Sequence, residues 1–153
     1  MSERRDEPSE VLDSPTGWVA GHVRRYVESD GARGHIWYGK PTLLLTTRGR
    51  RSGVLRRTGL IYGEDAGNYV VVGSNGGSDR HPHWYLNALA DPRVRVQVAA
   101  ETFDAVAREA EGEERDRLWE AMAVIFPQYL SYRQQTGRRI PVVVLEPRRP
   151  AGG

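Results

Sequence analysis

Apolar residues along this chain fall into short runs separated by turn residues, a pattern typical of strands. Val94, Val96 and Val98 alternate with polar residues, which predicts a strand with one buried and one exposed face. Runs rich in leucine or β-branched residues and alternating apolar positions predict further strands over residues 42–48, 55–62, 69–74, 103–107 and 141–145. The fold is therefore expected to be mainly β.

Glycine-containing turns predict how the first strands connect. Gly49 and Gly53 bracket one turn, and residues 63–68 form the next. Both turns suit hairpins, so the strand at 55–62 is expected to pair with the strand before it and with the strand after it. Strands and helices do not alternate regularly, which favours an antiparallel barrel with helical additions over a βαβ fold.

Four segments carry helical signals. Residues 15–29 follow a Ser-Pro helix start and repeat apolar positions at helical spacing. Residues 82–90 predict a short helix that ends before an Asp-Pro pair. Residues 113–126 combine an acidic first turn with an apolar stripe, which predicts a helix packed on the core. Pro127 begins a last short helix.

The length of 153 residues suits a single domain. We expect this domain to span residues 14–147, with residues 1–13 and 148–153 as disordered tails. The chain has no cysteine, which excludes disulfides and thiolate metal sites and is typical of reducing compartments. No apolar run suits a membrane span or a signal peptide, so the cytoplasm is the expected location.

Charge is distributed unevenly along the chain. The net charge is only +2, yet seven cations and no acid lie between Asp30 and Glu64. These cations are Arg33, Lys40, Arg48, Arg50, Arg51, Arg56 and Arg57. Arginine presents a planar fork of donors that fits phosphate or carboxylate. The segment therefore indicates either an anion-binding site or a solvated basic edge that prevents aggregation.

A glycine-rich loop and two histidines follow the strand at 69–74. The loop contains Gly76 and Gly77, and its backbone N–H groups either bind an anion or simply connect two elements. His81 and His83 have no neighbouring carboxylate or cysteine that completes a ligand set. A metal site is therefore not expected.

An aromatic stripe crosses the boundary between the last two helices. Phe126, Tyr129 and Tyr132 are spaced three residues apart. Such a stripe belongs either to the core or, because tyrosine hydroxyls need partners, to a lid over a flat ligand. No nucleophile, base and orienting acid stand in a recognisable order, so hydrolytic triad chemistry is not supported.

Four ordered motifs together resemble the deazaflavin-dependent nitroreductase and quinone reductase family of actinobacteria, which uses coenzyme F420. The resemblance runs from about Pro41 to Pro147. It implies a split β-barrel related to the FMN-binding, flavin-reductase-like folds. The motifs are Leu43-Leu44-Leu45-Thr46-Thr47-Arg48-Gly49-Arg50-Arg51-Ser52-Gly53, Val72-Gly73-Ser74-Asn75-Gly76-Gly77, His81-Pro82-His83-Trp84-Tyr85-Leu86-Asn87 and Ile140-Pro141-Val142-Val143-Val144-Leu145-Glu146-Pro147.

The resemblance also implies which residues hold the cofactor. Its phosphate and glutamate tail is expected to lie against Arg50, Arg51 and Arg56. Ser52 and Gly53 are expected to shape the turn that carries these arginines. The ring and linker region is expected to be lined by Ser74, Asn75, Gly76, Gly77, His83, Trp84 and Asn87.

The implied activity is hydride transfer from reduced F420 to a quinone- or nitro-type acceptor. Tyr129 and Tyr132 are expected over the substrate face of the ring, and together with Ser74 they are the candidate catalytic residues. Phe126 and Ile61 stand where family members have tyrosines, which counts against bulky bicyclic nitroimidazoles as substrates. These two departures do not touch the cofactor site. A further departure is Arg51 in place of the common lysine, which keeps the charge but changes a point donor into a fork.

Several alternatives stay open at this point. The protein is either an enzyme or a carrier that binds F420 without turnover, and FMN is an alternative cofactor. Nucleic-acid binding is not expected, because acids at residues 3–7 and 109–120 interrupt any broad basic surface. The N-terminal helix is expected to pack on the barrel or on a second copy in a homodimer. Peripheral contact with the membrane surface is the alternative role for this helix.

Overall fold

A computed structural model describes residues 11–13, 17–29, 35–37 and 40–148. The predicted helix start at Ser14 and Pro15, and the predicted tails apart from residues 11–13 and 148, lie outside the described residues. Residues 11–13 form a short strand within the segment expected to be a tail. This strand pairs with the edge of the sheet, which supplies its backbone with hydrogen-bond partners.

The predicted strands and helices are present, with boundaries shifted by a few residues. The strands are β1 (Val11–Asp13), β2 (Ile36–Trp37), β3 (Lys40–Arg48), β4 (Leu55–Ile61), β5 (Gly63–Asp65), β6 (Asn68–Val72), β7 (Arg93–Val98), β8 (Glu101–Glu109) and β9 (Val142–Pro147). Three short strands, β1, β2 and β5, were not predicted. The helices are α1 (Gly17–Glu28), α2 (His83–Ala90), α3 (Gly112–Ile125) and α4 (Gln128–Gln135), and a 3-10 turn spans Asn75–Gly77.

The strands form one curled sheet in the order β1-β4-β3-β7-β8-β9-β6-β5, with β2 paired to β3. Neighbouring strands are antiparallel except β1, which runs parallel to β4. The order begins at β1 and ends at β5, and these two strands do not pair, so the barrel is not closed. The predicted mainly β, antiparallel architecture with helical additions is confirmed.

One of the two predicted hairpins is wrong. β3 and β4 pair across the turn at residues 49–53, as predicted. β4 does not pair with β6, which pairs instead with β9 and with β5. Ala66 and Gly67 explain the difference, because their φ angles of 53° and 85° form a two-residue turn that matches the twist of a tight hairpin. The hairpin partner of β6 is therefore the short β5 and not β4.

Alternation along the strands separates three groups of buried side chains. Inside the barrel, α2 packs on β3 and β7 through Trp84, Tyr85, Ala88, Leu43, Leu45, Val94 and Val96. On the other face of β6 and β9, α3 and α4 cover Val70, Val72, Val142 and Val144 with Leu118, Trp119, Met122 and Tyr129. Among the functional candidates, Trp84 and Tyr129 belong to these buried groups, and α2 and α4 carry others, so packed elements position them.

The helix α1 packs on the outer face of β3. Val23 and Tyr26 are fully buried there against Leu44. The Tyr26 hydroxyl donates to the Thr42 carbonyl at 3.0 Å and accepts the Ala99 N–H at 2.7 Å. Burial raises the pKa of Tyr26. The expected packing of this helix on the barrel is confirmed, and no helix within the described ranges has the length and apolar character needed to cross a membrane.

Candidate functional site

The turn between β3 and β4 carries the arginine pair at an exposed tip. The Gly49 N–H donates to the Val54 carbonyl at 2.8 Å, and the Gly53 N–H donates to the Gly49 carbonyl at 2.9 Å. Ser52 Oγ accepts the Val54 N–H at 3.1 Å. Gly53 has a φ of 75°, which glycine adopts without strain. Ser52 and Gly53 thus form the turn that presents the arginines.

Arg50 connects this turn to helix α2. Its backbone N–H and its Nη1 both donate to Asn87 Oδ1, at 3.1 and 2.8 Å. Its Nη2 lies 3.4 Å from His83 Nδ1. Asn87, which is 3% exposed, donates in turn from Nδ2 to Thr47 Oγ1 at 3.2 Å. The hairpin tip and one face of α2 therefore form a single polar unit.

Arg56 lies on the same side of the sheet as this unit. It stands opposite Thr47 in the β3–β4 register, and residues paired in this way point to one face. Arg57, the next residue, points to the other face. Among the residues that the structure describes, no carboxylate lies within ion-pair distance of Arg50, Arg51 or Arg56. Three cations are therefore available to an anionic ligand.

The glycine-rich loop after β6 has an unusual backbone. Ser74 is right-handed, whereas Asn75, Gly76 and Gly77 have positive φ angles of 49°, 63° and 84°. A right-handed residue followed by a left-handed one directs successive N–H groups into a concavity that suits anions or polar ligand atoms. Ser74 is 8% exposed, whereas Asn75 and Gly76 are exposed at the tip of the loop.

Gly77 brings this loop against helix α4. A Cβ atom built there would lie 2.7 Å from Gln135 Oε1 and 3.1 Å from Tyr132 Cδ1. A side chain at this position would displace the Gln135 side chain, crowd the Tyr132 ring and strain a backbone whose φ is 84°. The structure thus joins the predicted cofactor loop to one of the two predicted substrate-side tyrosines.

Arg138 is a polar contact of the loop that the sequence did not indicate. Its guanidinium donates to the Ser74 and Ser78 carbonyls, at 2.8 and 2.9 Å. It stands in a basic segment outside the four motifs, where a single arginine carries no pattern. Only the tertiary structure distinguishes it from its neighbour Arg139.

Trp84 lies in the first turn of helix α2. It is 8% exposed and belongs to the barrel core, with its ring edge-on to Tyr85 at a centroid distance of 6.3 Å. His83, the preceding residue, is exposed and faces Arg50. The motif therefore contributes a packing residue and a polar residue to opposite sides of the first turn of α2.

The aromatic stripe forms a packed cluster beside α3. The ring of Phe126 lies 5.0 Å from that of Tyr129 and 6.2 Å from that of Tyr132, centroid to centroid. Tyr129 is 4% exposed, and burial raises its pKa far above the ordinary value. Tyr132 is half-buried and donates from its hydroxyl to Gln128 Oε1 at 2.9 Å. Ile61 also packs here, at the end of β4.

Contacts connect these groups into a continuous row. The arginine turn contacts α2 through Asn87, and α2 follows the loop that contains Ser74. The loop contacts α4 through Gly77 and Tyr132. No cluster of three or more metal-ligating side chains is found in the described part of the chain. The row offers cations at one end and aromatic rings at the other.

Comparison with known proteins assigns this arrangement to a family. The sequence profile of the F420H(2)-dependent quinone reductase family matches residues 18–147, which is well over half of the chain. The chain belongs to this family. Membership implies an oxidoreductase that uses coenzyme F420, and the resemblance inferred from the four motifs is confirmed.

Relatives within and around the F420H(2)-dependent quinone reductase family are similar over most of their length. A Mycobacterium tuberculosis protein named F420H(2)-dependent quinone reductase is 37% identical over 128 residues, which cover 81% of this chain and 86% of that protein. A solved structure of an F420-H2 dependent reductase is 42% identical, with a TM-score of 0.65, and covers 69% of this chain and 94% of that chain. The predicted split β-barrel fold is confirmed.

A second solved structure bears on assembly. It is described as a domain-swapped dimer, is 39% identical, and has a TM-score of 0.68. The match covers 87% of this chain and all of that chain.

The residues present fit coenzyme F420. Its anionic tail requires cations. Arg50 and Arg51 are exposed at the tip of the turn and Arg56 on the strand that follows, without a paired carboxylate among the described residues. Its flat ring requires a surface on which backbone and side-chain atoms approach closely. The loop at 74–77 offers such a surface, because its exposed tip residues Asn75 and Gly76 leave the backbone accessible.

Proposed function

We propose that this protein is an F420-dependent quinone reductase, with its cofactor lying along the row from the arginine turn to the aromatic cluster. The observation that carries the proposal is the connection of these two ends through α2 and the glycine-rich loop. Such a row suits an elongated ligand that is anionic at one end and flat at the other. Reduced F420, when bound, supplies a hydride that takes a quinone to the quinol once a proton is added.

The arginine turn holds the anionic tail. Arg50 is oriented by Asn87 and His83, so its guanidinium loses less side-chain entropy when a ligand binds. Arg51 and Arg56 are exposed and add positive charge at the same turn and on the strand that follows it. Bidentate contacts from arginine to phosphate or carboxylate are stronger than contacts between neutral groups.

The loop at 74–77 and the start of α2 hold the ring region. Asn75 and Gly76 present backbone N–H groups at the exposed tip of the loop, and His83 adds a ring nitrogen near the same surface. The Gly77 N–H instead closes the turn by donating to the Ser74 carbonyl at 2.9 Å. Trp84 supports this surface from the core, where it fixes the position of α2. The role of these residues is to orient the ligand and to exclude water.

The aromatic cluster is the side from which the acceptor approaches. Burial keeps the Tyr129 hydroxyl protonated at neutral pH, since its pKa is strongly raised. Tyr132 is half-buried, and its hydroxyl is already directed by Gln128. These two hydroxyls and that of Ser74, together with solvent, are the candidate donors of the proton that completes reduction.

Two positions favour quinones over bulky nitro compounds as acceptors. Phe126 and Ile61 add no hydroxyl to the aromatic cluster, and both pack against the same buried side chains as Tyr132. An acceptor that relies on further hydrogen bonds at these positions would find none. We therefore expect menadione to be reduced faster than a bicyclic nitroimidazole.

A homodimer is part of the proposal. It is supported by the relative described as a domain-swapped dimer, whose whole chain matches this one. Contact of the N-terminal helix with a membrane surface stays a prediction. Its residue Trp18 lies in a part of α1 whose side chains are outside the described residues.

Parallel titrations test cofactor choice and turnover. Binding of F420 and of FMN is followed by fluorescence, and reoxidation of reduced F420 is then followed with menadione as acceptor. We expect F420 to bind more tightly than FMN and menadione to be consumed catalytically. Preference for FMN, or no binding of either cofactor, would contradict the proposal. Binding without turnover would favour the carrier alternative.

The tyrosines are tested by removing single hydroxyls. Tyr129→Phe and Tyr132→Phe are expected to lower turnover several-fold while the Kd for F420 changes less than about twofold, because the rings that pack against the cofactor site remain. Tyr62→Phe is the matched control. The Tyr62 hydroxyl lies 2.9 Å from His35 Nε2 and takes no part in the aromatic cluster. Equal losses of turnover and of cofactor affinity would contradict the assigned roles.

A further inference from the structure

Arg138 meets the glycine-rich loop with every branch of its guanidinium. Nη2 donates to the Ser74 carbonyl at 2.8 Å, and Nε donates to the Ser78 carbonyl at 2.9 Å. Nη1 lies 3.0 Å from His81 Nδ1. Ser74 is the first residue of the loop, Ser78 follows its 3-10 turn, and His81 lies just before helix α2. A planar fork with fixed geometry therefore spans the loop as a brace.

This guanidinium stands in a partly desolvated setting. Arg138 is half-buried, and among the described residues no carboxylate lies within ion-pair distance of it. Burial lowers the pKa of Arg138, with the more distant charge of Asp79 acting in the opposite direction. The backbone carbonyls of the loop thus replace water as partners of the charge.

A second contact joins the same two segments. Thr136 Oγ1 donates to Asp79 Oδ1 at 2.9 Å, and Thr136 is 7% exposed. Together with the packing of Gly77 on Tyr132 and Gln135, this contact holds the loop against the end of α4. Within the loop, a single 3-10 turn is closed by the Gly77 N–H on the Ser74 carbonyl at 2.9 Å and the Ser78 N–H on the Asn75 carbonyl at 3.1 Å. Contacts from outside the loop add support to three consecutive residues with positive φ.

We propose that Arg138 is the positioning residue of the F420 loop: it holds residues 74–78 in the conformation that accepts the ring region and connects that conformation to α4. This inference rests on the proposed function for the identity of the ligand. Arg138 acts through the loop backbone and does not itself need to touch the cofactor. Lysine cannot replace it fully, since one ammonium does not reach acceptors arranged around a planar fork.

The experiment compares Arg138→Gln and Arg138→Lys with the wild type. Arg133→Gln is the matched control, because Arg133 lies in the last turn of α4, five residues before Arg138, with its guanidinium 5.2 Å from the Trp119 ring and away from the loop. Hydrogen exchange of the amides of residues 75–78 is measured without cofactor, and the Kd for F420 is measured by fluorescence. KM for reduced F420 and kcat are measured with menadione.

We expect Arg138→Gln to raise amide exchange in the loop and to raise Kd and KM for F420 by about tenfold, since two charge-assisted hydrogen bonds to the loop are lost. kcat is expected to change less than KM, because the chemistry uses other groups. Arg138→Lys is expected to fall between the wild type and Arg138→Gln. Arg133→Gln is expected to leave exchange in the loop and Kd unchanged.

Several results would overturn the inference. Unchanged exchange and unchanged Kd in Arg138→Gln would mean that the loop keeps its conformation without the brace. A fall in kcat with KM unchanged would indicate loss of folded protein alone. If Arg138→Gln does not fold, full cofactor affinity in Arg138→Lys would exclude the role of the fork. If the wild type binds no F420, the proposed function fails, whereas loop exchange still tests the brace.

Discussion

The two ends of the proposed cofactor site are built in different ways. At the arginine turn, Arg51 and Arg56 are exposed and are held by the backbone geometry of a hairpin. At the aromatic end, Tyr129 is 4% exposed and packs with Phe126 and Trp119. A residue at the first end is free to serve the ligand alone, whereas one at the second end also holds the fold together.

Because of this difference, truncating a side chain mainly weakens ligand binding at the arginine turn but mainly lowers folding stability at the aromatic end. Loss of an exposed arginine removes a ligand contact and leaves the folded state almost unchanged, because surface charges contribute little to stability. Loss of a buried aromatic ring opens a cavity and removes many packing contacts. Binding and folding therefore need to be measured separately at each end.

The largest effect is expected at the aromatic end. Tyr129→Ala is expected to lower the free energy of unfolding by about 3–5 kcal/mol, the range for truncating a large buried aromatic residue. Urea denaturation measures this change. Tyr129→Phe is the matched variant, and it is expected to lose far less because the ring remains. A loss below about 1 kcal/mol for Tyr129→Ala would contradict the comparison of the two ends.

A smaller effect, confined to binding, is expected at the arginine turn. Arg50→Gln is expected to weaken F420 binding by about 10- to 100-fold, since one charge-assisted contact contributes about 1.5–3 kcal/mol. Its stability should stay close to that of the wild type. Added salt should weaken F420 binding in the wild type more than in the variant. Fluorescence titration at two salt concentrations measures both effects.

Arg95→Gln is the control for the arginine turn. Arg95 is exposed on β7, and its guanidinium lies 3.6 Å from Asp104. It contacts none of the residues proposed to hold the cofactor. Equal loss of F420 affinity in Arg95→Gln and Arg50→Gln would mean that overall charge, and not the turn, attracts the cofactor.

The smallest effect is expected between the two ends, at His81. Burial and then the charge of Arg138 hold the pKa of His81 below its ordinary value of about 6.5, while Glu109 acts in the opposite direction. Tyr85 lies beside the ring at a centroid distance of 4.8 Å. As the pH falls through about 6.5, the unfolded chain binds a proton before the folded one, so stability should be lost from there downward.

His81→Gln checks this pH dependence. The variant has no imidazole to protonate, so the part of the stability loss that His81 causes between pH 7.5 and pH 5.5 should disappear. Urea denaturation of both proteins at these two pH values gives the comparison. The carboxylates of both proteins respond to pH alike, so only the difference between the proteins matters. Parallel pH profiles would exclude His81 as a contributor.

Much of the fold was predictable because its signals are local. The alternation of Val94, Val96 and Val98 identified a strand, and the stripe of the 113–126 helix identified its buried face. The second hairpin was mispredicted, because pairing depends on turn geometry. The positive φ angles of Ala66 and Gly67 are not marked by a typical turn sequence.

The candidate site was predictable only where a motif carried it. The arginine turn, the glycine-rich loop and the histidine motif were recognised as ordered groups, and the structure brings Arg50 next to His83 and Asn87. Arg138 was missed, because its partners are backbone carbonyls about 60 residues away in sequence. Backbone acceptors leave no side-chain pattern.

The sequence by itself determined the elements, the acid-free segment and the family, because hydrophobic periodicity, charge and motifs are properties of neighbouring residues. The tertiary structure alone decided that Arg56 shares a face with Arg50 while Arg57 does not, that Tyr129 is buried, and that Arg138 braces the loop. These properties depend on strand register and on contacts between distant segments, which form only when the whole chain packs.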